Sequence, residues 1–170
     1  MGIRRSRRRI SSARLRSLAA ALLDASTLCA IATVSPNGRA HVNTAYFAWS
    51  DVLELVWLSE PLATHSTNIR ANPAVAIAVY DSTQRWGRPD RGIQLFGSAR
   101  EGAADAASTY ARRFPRYEEG ELGAYRFYRF RPRRAKLFDE PALGAGVFVT
   151  ARFSRGELTW EQTDVYDSAS

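Results

Sequence analysis

Trp57-Leu-Ser-Glu-Pro-Leu-Ala-Thr-His-Ser-Thr-Asn-Ile-Arg-Ala-Asn-Pro73 joins the end of one apolar run to the start of another, Ala74 to Tyr80. The run before it, Val52 to Leu58, reads as a strand that ends at Ser59. Leu62, His65 and Ile69 recur at i, i+3 and i+7, the spacing of a short helix. Asn72-Pro73 stops that helix, because a proline ring disfavours the helical conformation in the residue before it. Strand end, polar helix and returning strand gather Ser59, Thr64, His65, Ser66 and Asn68 in one place. Hydroxyls, an imidazole and the free N–H groups of a helix start can hold a phosphate. An ordinary capped helix with a solvated face fits the same residues, since Ser followed by Glu and Pro is a common helix start.

Working outward, Leu28 to Val34 is a short apolar strand, Ser35-Pro-Asn-Gly38 has turn chemistry and Arg39 to Ala48 resumes as a strand, which predicts a hairpin. The turn Trp49-Ser-Asp51 leads into the strand before Ser59. Ala74 to Tyr80 suits a buried strand, Asp81 to Arg91 a long loop, and Gly92 to Arg100 a further strand. Ala103, Ala106, Ala107 and Tyr110 are spaced for a helix over Gly102 to Phe114, broken at Pro115. Tyr125 to Phe138 predicts one or two strands interrupted by Pro132, and Val147 to Phe153 with Glu157 to Thr163 a closing hairpin around Arg155-Gly156. Many strands with short helices and short connections predict a mainly β, antiparallel barrel or sandwich. No G-x-G-x-x-G or G-K-[ST] motif occurs, which argues against a Rossmann or P-loop nucleotide site.

The 170 residues, 45% of them hydrophobic, fit one domain with a core of its own. The formal charge of +7 is concentrated. Arg4, Arg5, Arg7, Arg8, Arg9, Arg14 and Arg16 meet no acid among the first sixteen residues, and the rest of the chain is balanced. A neutral body with a basic arm argues against a nucleic-acid-binding fold, which carries its charge on a folded face. Asp24 ends the apolar run Leu18 to Leu23 too early for a secretory signal. A mitochondrial transit peptide fits the composition, and Gly2 with Ser6 fits the loose myristoylation pattern. Leu15, Leu18, Ala19, Leu22 and Leu23 recur at helical spacing, so the preferred expectation is a disordered arm over 1–16 and a single domain over 17–170 that opens with an amphipathic helix. No apolar run is long enough to span a membrane. All basic side chains but Lys136 are arginine, which hints at a GC-rich genome and so at a bacterial cytoplasm. The lone Cys29 lies in an apolar strand and reads as an inert buried thiol, and His41 and His65 form no metal-ligand pattern, so no metal is expected.

The order of these features resembles the pyridoxamine 5′-phosphate oxidase-like, FMN-binding split-barrel superfamily. Ala30 to Val34, Pro36-Asn-Gly38, His41 to Phe47, Leu58-Ser59, Asn68-Ile69, Asn72-Pro73 and Gly92-Ile-Gln-Leu-Phe-Gly97 carry the likeness. It covers roughly Leu22 to Tyr166. The wording Thr64-His65-Ser66-x-Asn68-Ile69 is closest to an uncharacterised branch. Where the oxidase places an Arg on its second strand and Ser-Arg-Lys at its phosphate helix, this chain has Asn43 and Ala63-Thr-His65, and the C-terminal Arg-Leu-x-Pro signature is absent. The resemblance implies a split β-barrel and a homodimer with FMN in clefts between subunits. Leu58, Ala45 and Tyr46 would wall the ring, backbone groups of the second and third strands would bond its pyrimidine edge, and Asn43 and Thr44 would also be at the cofactor; Ser59, Thr64, His65 and Ser66 would hold the phosphate; Gln94, with Trp86 a further candidate, would come from the partner. His65 lies on the helix side of Leu62 and Ile69, a place equally open to a core histidine bonded to backbone. Tyr110, Tyr117 and Tyr128 read as core or interface aromatics.

The implied activity is that of a flavin-dependent oxidoreductase acting on a small organic substrate, with no protein side chain assigned as catalytic acid or base. Related split barrels use deazaflavin or bind haem, so deazaflavin is the alternative cofactor. A non-catalytic flavin-binding module, tethered to RNA or membrane by the arm, is the third reading.

Overall fold

A computed structural model describes residues 2–102, 105–117, 123–154 and 157–167. The chain divides into two compact units, Thr27–Ile77 with Phe96–Pro132, and Met1–Ser26 with Ala78–Leu95 and Arg133–Ser170. Strands β5 (Ala74–Tyr80), β6 (Arg91–Glu101) and β7 (Arg126–Asp139) contribute residues to both.

The unit that carries the site begins with the expected hairpin, β2 (Leu28–Val34) and β3 (Ala40–Trp49), paired antiparallel from Leu28↔Tyr46 to Val34↔Ala40. Gly38 closes its turn at φ 79°, a conformation in which a side chain would be strained. β4 (Leu55–Ser59) pairs with β3 and with the start of β7, and the strand order β7–β4–β3–β2–β5–β6, with β6 paired back to β7, closes an antiparallel barrel. The fold is the expected mainly β split barrel with short helices. Alternate residues of β2 and β5 are buried, as a strand with one face on a core requires. Two helices cover the barrel: α2 (Thr64–Ala71) and α3 (Ala106–Arg113).

Three local expectations are corrected here. β4 starts at Leu55 rather than Val52, because Ser50 to Leu53 form a turn (Leu53 N–H to Ser50 O, 2.7 Å) that swings Leu53, at φ 61°, into the core. β7 is one strand through Pro132, since the adjacent β6 presents Gly97, where a Cβ would stand 2.1 Å from the Arg131 carbonyl oxygen and 2.9 Å from Pro132 Cα. Leu62 precedes the helix and is 80% exposed, so the buried face of α2 is His65, Ser66, Asn68 and Ile69. Within this unit Arg129 of β7 pairs with both Glu54 (3.5 Å) and Asp105, holding the start of α3 to the sheet.

The other unit has strand β1 (Gly2–Ser6), helix α1 (Ser12–Asp24), the four-residue helix α4 (Glu140–Leu143), and strands β8 (Val147–Ser154) and β9 (Glu157–Asp167), a hairpin as expected. Its turn at Arg155-Gly156 lies outside the described residues, as does Ala103 of the predicted third helix. Where a disordered arm is expected over 1–16, β1 pairs antiparallel with β9, Arg5 donates to Gln162 Oε1 (2.6 Å), and Arg8 donates to the Leu143 carbonyl (2.6 Å). An otherwise open strand edge and carbonyl acceptors give these arginines partners, which composition does not show. Leu15, Leu18, Ala19, Leu22 and Leu23 are the buried face of α1, capped by Ser11.

Candidate functional site

A cleft of about 630 Å³ opens among β3, the end of β4, α2 and α3, all within the first unit. Asn43, Thr44, Ala45 and Tyr46 of β3 line one wall; Leu58, Ser59 and His65 form a polar end; Tyr110, Phe114, Arg116, Tyr117 and Tyr125 form the opposite side.

The polar end follows from how the chain leaves β4. Ser59 is the last residue of the strand, and the Ala63 N–H closes a turn on Glu60 O (3.1 Å), so α2 starts one turn further on. Ser59 is therefore not the cap of that helix; Ala63 holds the cap position and supplies no side-chain bond. The first N–H groups of a helix have no partner inside it, and an uncapped start leaves them for whatever enters. Ser59 Oγ instead hydrogen-bonds His65 Nε2, both residues being buried. Ser66 Oγ donates to Glu60 O (2.8 Å) and Asn68 Nδ2 to Thr33 Oγ1 (3.1 Å), which fixes α2 against β2. The His41 ring lies parallel to that of His65, 6.4 Å between centroids and 9° between planes. Burial first, and then the neighbouring His41, push His65 below its ordinary pKa of 6.5, which favours the neutral ring.

The aromatic side is a packed set of rings. Tyr110 stands 4.7 Å from Phe114, 5.4 Å from Tyr117 and 5.8 Å from Phe127, and Tyr46 meets Phe114 edge-on at 6.0 Å. Against the β3 wall, Asn43 Oδ1 is buried without a hydrogen-bond donor, an acceptor open to an incoming N–H. Beside Ala45 on the neighbouring strand, its register partner Cys29 is buried, and burial pushes the thiol up to about 12, far from a reactive thiolate. Among the described residues no three His, Cys, Asp or Glu side chains converge as a metal site would need.

Of the residues singled out in the sequence, Asn43, Thr44, Ala45, Leu58, Ser59 and His65 meet in this cleft. Thr64 is exposed outside it, and Ser66 turns inward to the Glu60 carbonyl. Gln94 is exposed on β6 between buried Ile93 and Leu95, in the other unit, and Trp86 is fully exposed. Sequence reasoning missed Phe114, Arg116 and Tyr125 and gave Tyr110 and Tyr117 no part in the cleft. The available signal was the run of aromatics at the end of the predicted third helix and just past Pro115, Tyr110, Phe114 and Tyr117.

A family model described as pyridoxamine 5′-phosphate oxidase matches residues 15–139. The chain belongs to that family. No curated protein matches the sequence. Among solved structures, a putative pyridoxamine 5′-phosphate oxidase from Listeria innocua shares 14% identity at a TM-score of 0.59, over 72% of this chain and 97% of that one. A heme binding protein from Mycobacterium smegmatis shares 17% identity at 0.62, over 85% of this chain and 59% of that one. The heme storage protein HutZ from Vibrio cholerae shares 19% identity at 0.55, over 69% and 87%. At these identities the likeness is one of fold. The same fold, then, accompanies proteins described by different ligands, and the residues of the cleft have to discriminate. No helix of the described residues is long and apolar enough to cross a membrane.

Proposed function

We propose that this protein binds FMN in the cleft and is a flavin-dependent oxidoreductase for a small organic substrate, working as a homodimer. One observation carries the reading: an aromatic and aliphatic cleft is polar at one end, where the buried Ser59–His65 pair sits at an uncapped helix start. A planar ring with a phosphate tail has that same distribution of polarity. Leu58, Ala45 and Tyr46 would take the ring, Asn43 Oδ1 would accept from a ring N–H, and Ser59 with His65 would hold the phosphate. When bound, FMN supplies the hydride chemistry, and the protein orients it and excludes water. No side chain of the cleft is assigned as acid or base.

Pyridoxamine phosphate is not proposed as the substrate, because the chain lacks the Arg-Leu-x-Pro signature at its end. Support for the dimer comes from the outward face of β2 and β3. There Leu28, Val34, Val42 and Tyr46 are 44%, 38%, 63% and 58% exposed, and no charged residue interrupts them. A contiguous apolar face of that kind marks an association surface. Gln94 of a second copy would then approach the cleft.

The visible absorption spectrum of the purified protein, before and after FMN is added and the excess removed, tests the reading. Retained flavin bands are expected, and a colourless protein that releases added FMN would overturn it. Haem is the second reading, favoured by the two same-fold proteins described by haem and by the imidazole in the cleft. The same spectrum would show it as a Soret band, and competition between FMN and a deazaflavin would expose the remaining alternative.

A further inference from the structure

We infer that His41 is a second anion-binding residue of the cleft, and that His41 and His65 together take up protons as a phosphate monoester dianion enters. The inference rests on the proposed phosphate end of the cleft and adds to it a residue that no motif marks.

The chain has two histidines, and the fold stacks them. His41 stands next to the cleft rather than on its lining: it shares a side of β3 with Asn43 and Ala45, and its ring lies parallel to that of His65, which lines the cleft. Its register partner on β2 is Thr33, the residue that accepts from Asn68 of α2. The hydrogen bond that fixes α2 to the sheet therefore also fixes His65 over His41.

Burial first, and then the neighbouring His41, hold His65 below its ordinary pKa. The groups facing the pair do not relieve this. β4 offers the Ser59 hydroxyl, followed by half-buried Glu60, and β2 offers Thr33. On α2 itself, Arg70 at the far end pairs with Glu101 (3.7 Å). Across the cleft stand Tyr110, Tyr117, Tyr125 and Arg116. Among the described residues no carboxylate lines the cleft, and an entering dianion supplies the counter-charge for an imidazolium. A dianion beside both rings stabilises a proton on each, and by linkage its affinity rises about tenfold for each unit by which pH falls, for every proton taken up. The rise ends where the phosphate itself protonates, near pH ~6. A fixed arginine in the same place would give binding without this pH dependence.

The test is a proton NMR titration of the two imidazoles in the full chain, with and without saturating inorganic phosphate, the signals assigned with His41→Gln and His65→Gln. In parallel, FMN and riboflavin affinities are measured from pH 6.5 to 8.5. Both imidazole titrations are expected to move to higher pH with phosphate, by about one unit or more. FMN affinity is expected to rise as pH falls while riboflavin affinity stays level, with a shallower FMN slope in His41→Gln. Titrations that ignore phosphate, or a shift of His65 alone, would overturn the inference, and FMN bound with a level pH profile would do so while leaving the FMN reading intact. If phosphate moves both imidazoles and neither flavin binds, the inference stands and the FMN reading fails.

Discussion

The polar end and the aromatic side of the cleft are built by different means. At the polar end, Ser59, His65, Ser66 and Asn68 lie within ten residues of chain, and each is fixed by a directed bond to Oγ, Nε2 or a carbonyl. On the aromatic side, Tyr110, Phe114, Tyr117 and Phe127 are held by ring-on-ring packing, and α3 is tied to the sheet through Arg129 with Asp105 and Glu54. Directed bonds fail when one partner is lost, because the other is left buried and unsatisfied. Ring packing fails by volume, through the cavity left behind. The same cleft should therefore break in two distinguishable ways.

The largest effect is expected on the aromatic side. Tyr110 is 9% exposed and touches three other rings, so Tyr110→Ala should cost about 3 kcal/mol of stability, read from urea unfolding. A loss below about 1 kcal/mol would mean that the rings do not hold α3. Next comes the polar end. Asn68→Leu strands the Thr33 hydroxyl, and a loss of about 2 kcal/mol is expected. Adding Thr33→Val should recover part of it, since removing both partners leaves nothing unsatisfied. Strictly additive losses in that cycle would show that the bond contributes nothing specific.

The two sides also differ in how readable they were. The deciding stretch places α2, its stop at Asn72-Pro73 and strand β5 where the structure has them, because helix spacing, proline and β-branched runs are local signals. The polar residues follow each other along that stretch, so strand end and helix start bring them together almost by themselves. What local pattern lacked was orientation: Ser59 caps nothing, Leu62 faces solvent, and Ser66 turns away to Glu60. The aromatic side comes from Tyr110 onward, well beyond that stretch in the chain. There a cluster of aromatics at a helix end looks the same whether it lines a cleft or fills a core. His41 was invisible for a related reason, since only the β2–β3 register and the Asn68–Thr33 bond carry it to His65.

Smaller effects sharpen the contrast further. His65 has a folded-state pKa below its ordinary 6.5, so as pH falls from there the unfolded chain binds the proton first. Its contribution to stability is intact above that value and declines as pH drops toward the folded pKa. Urea midpoints at pH 7.5 and 5.5 should show a smaller decline in His65→Gln than in the parent protein. An equal decline would place the pH sensitivity elsewhere.

The smallest effect concerns the floor both sides share. Cys29 lies opposite Ala45 in register, buried, with its thiol pushed up to about 12 by that burial. A thiol reagent at pH 8 should leave the native protein unlabelled while the urea-unfolded chain reacts at once, because only the thiolate attacks and only an opened β2–β3 hairpin exposes it. Labelling of the native protein is then a clock for the opening of the cleft floor. If Tyr110→Ala speeds that clock and Asn68→Leu does not, the floor depends on the ring packing rather than on the directed bonds; equal acceleration by both would mean that the cleft opens as one cooperative unit and would erase the distinction between its two sides.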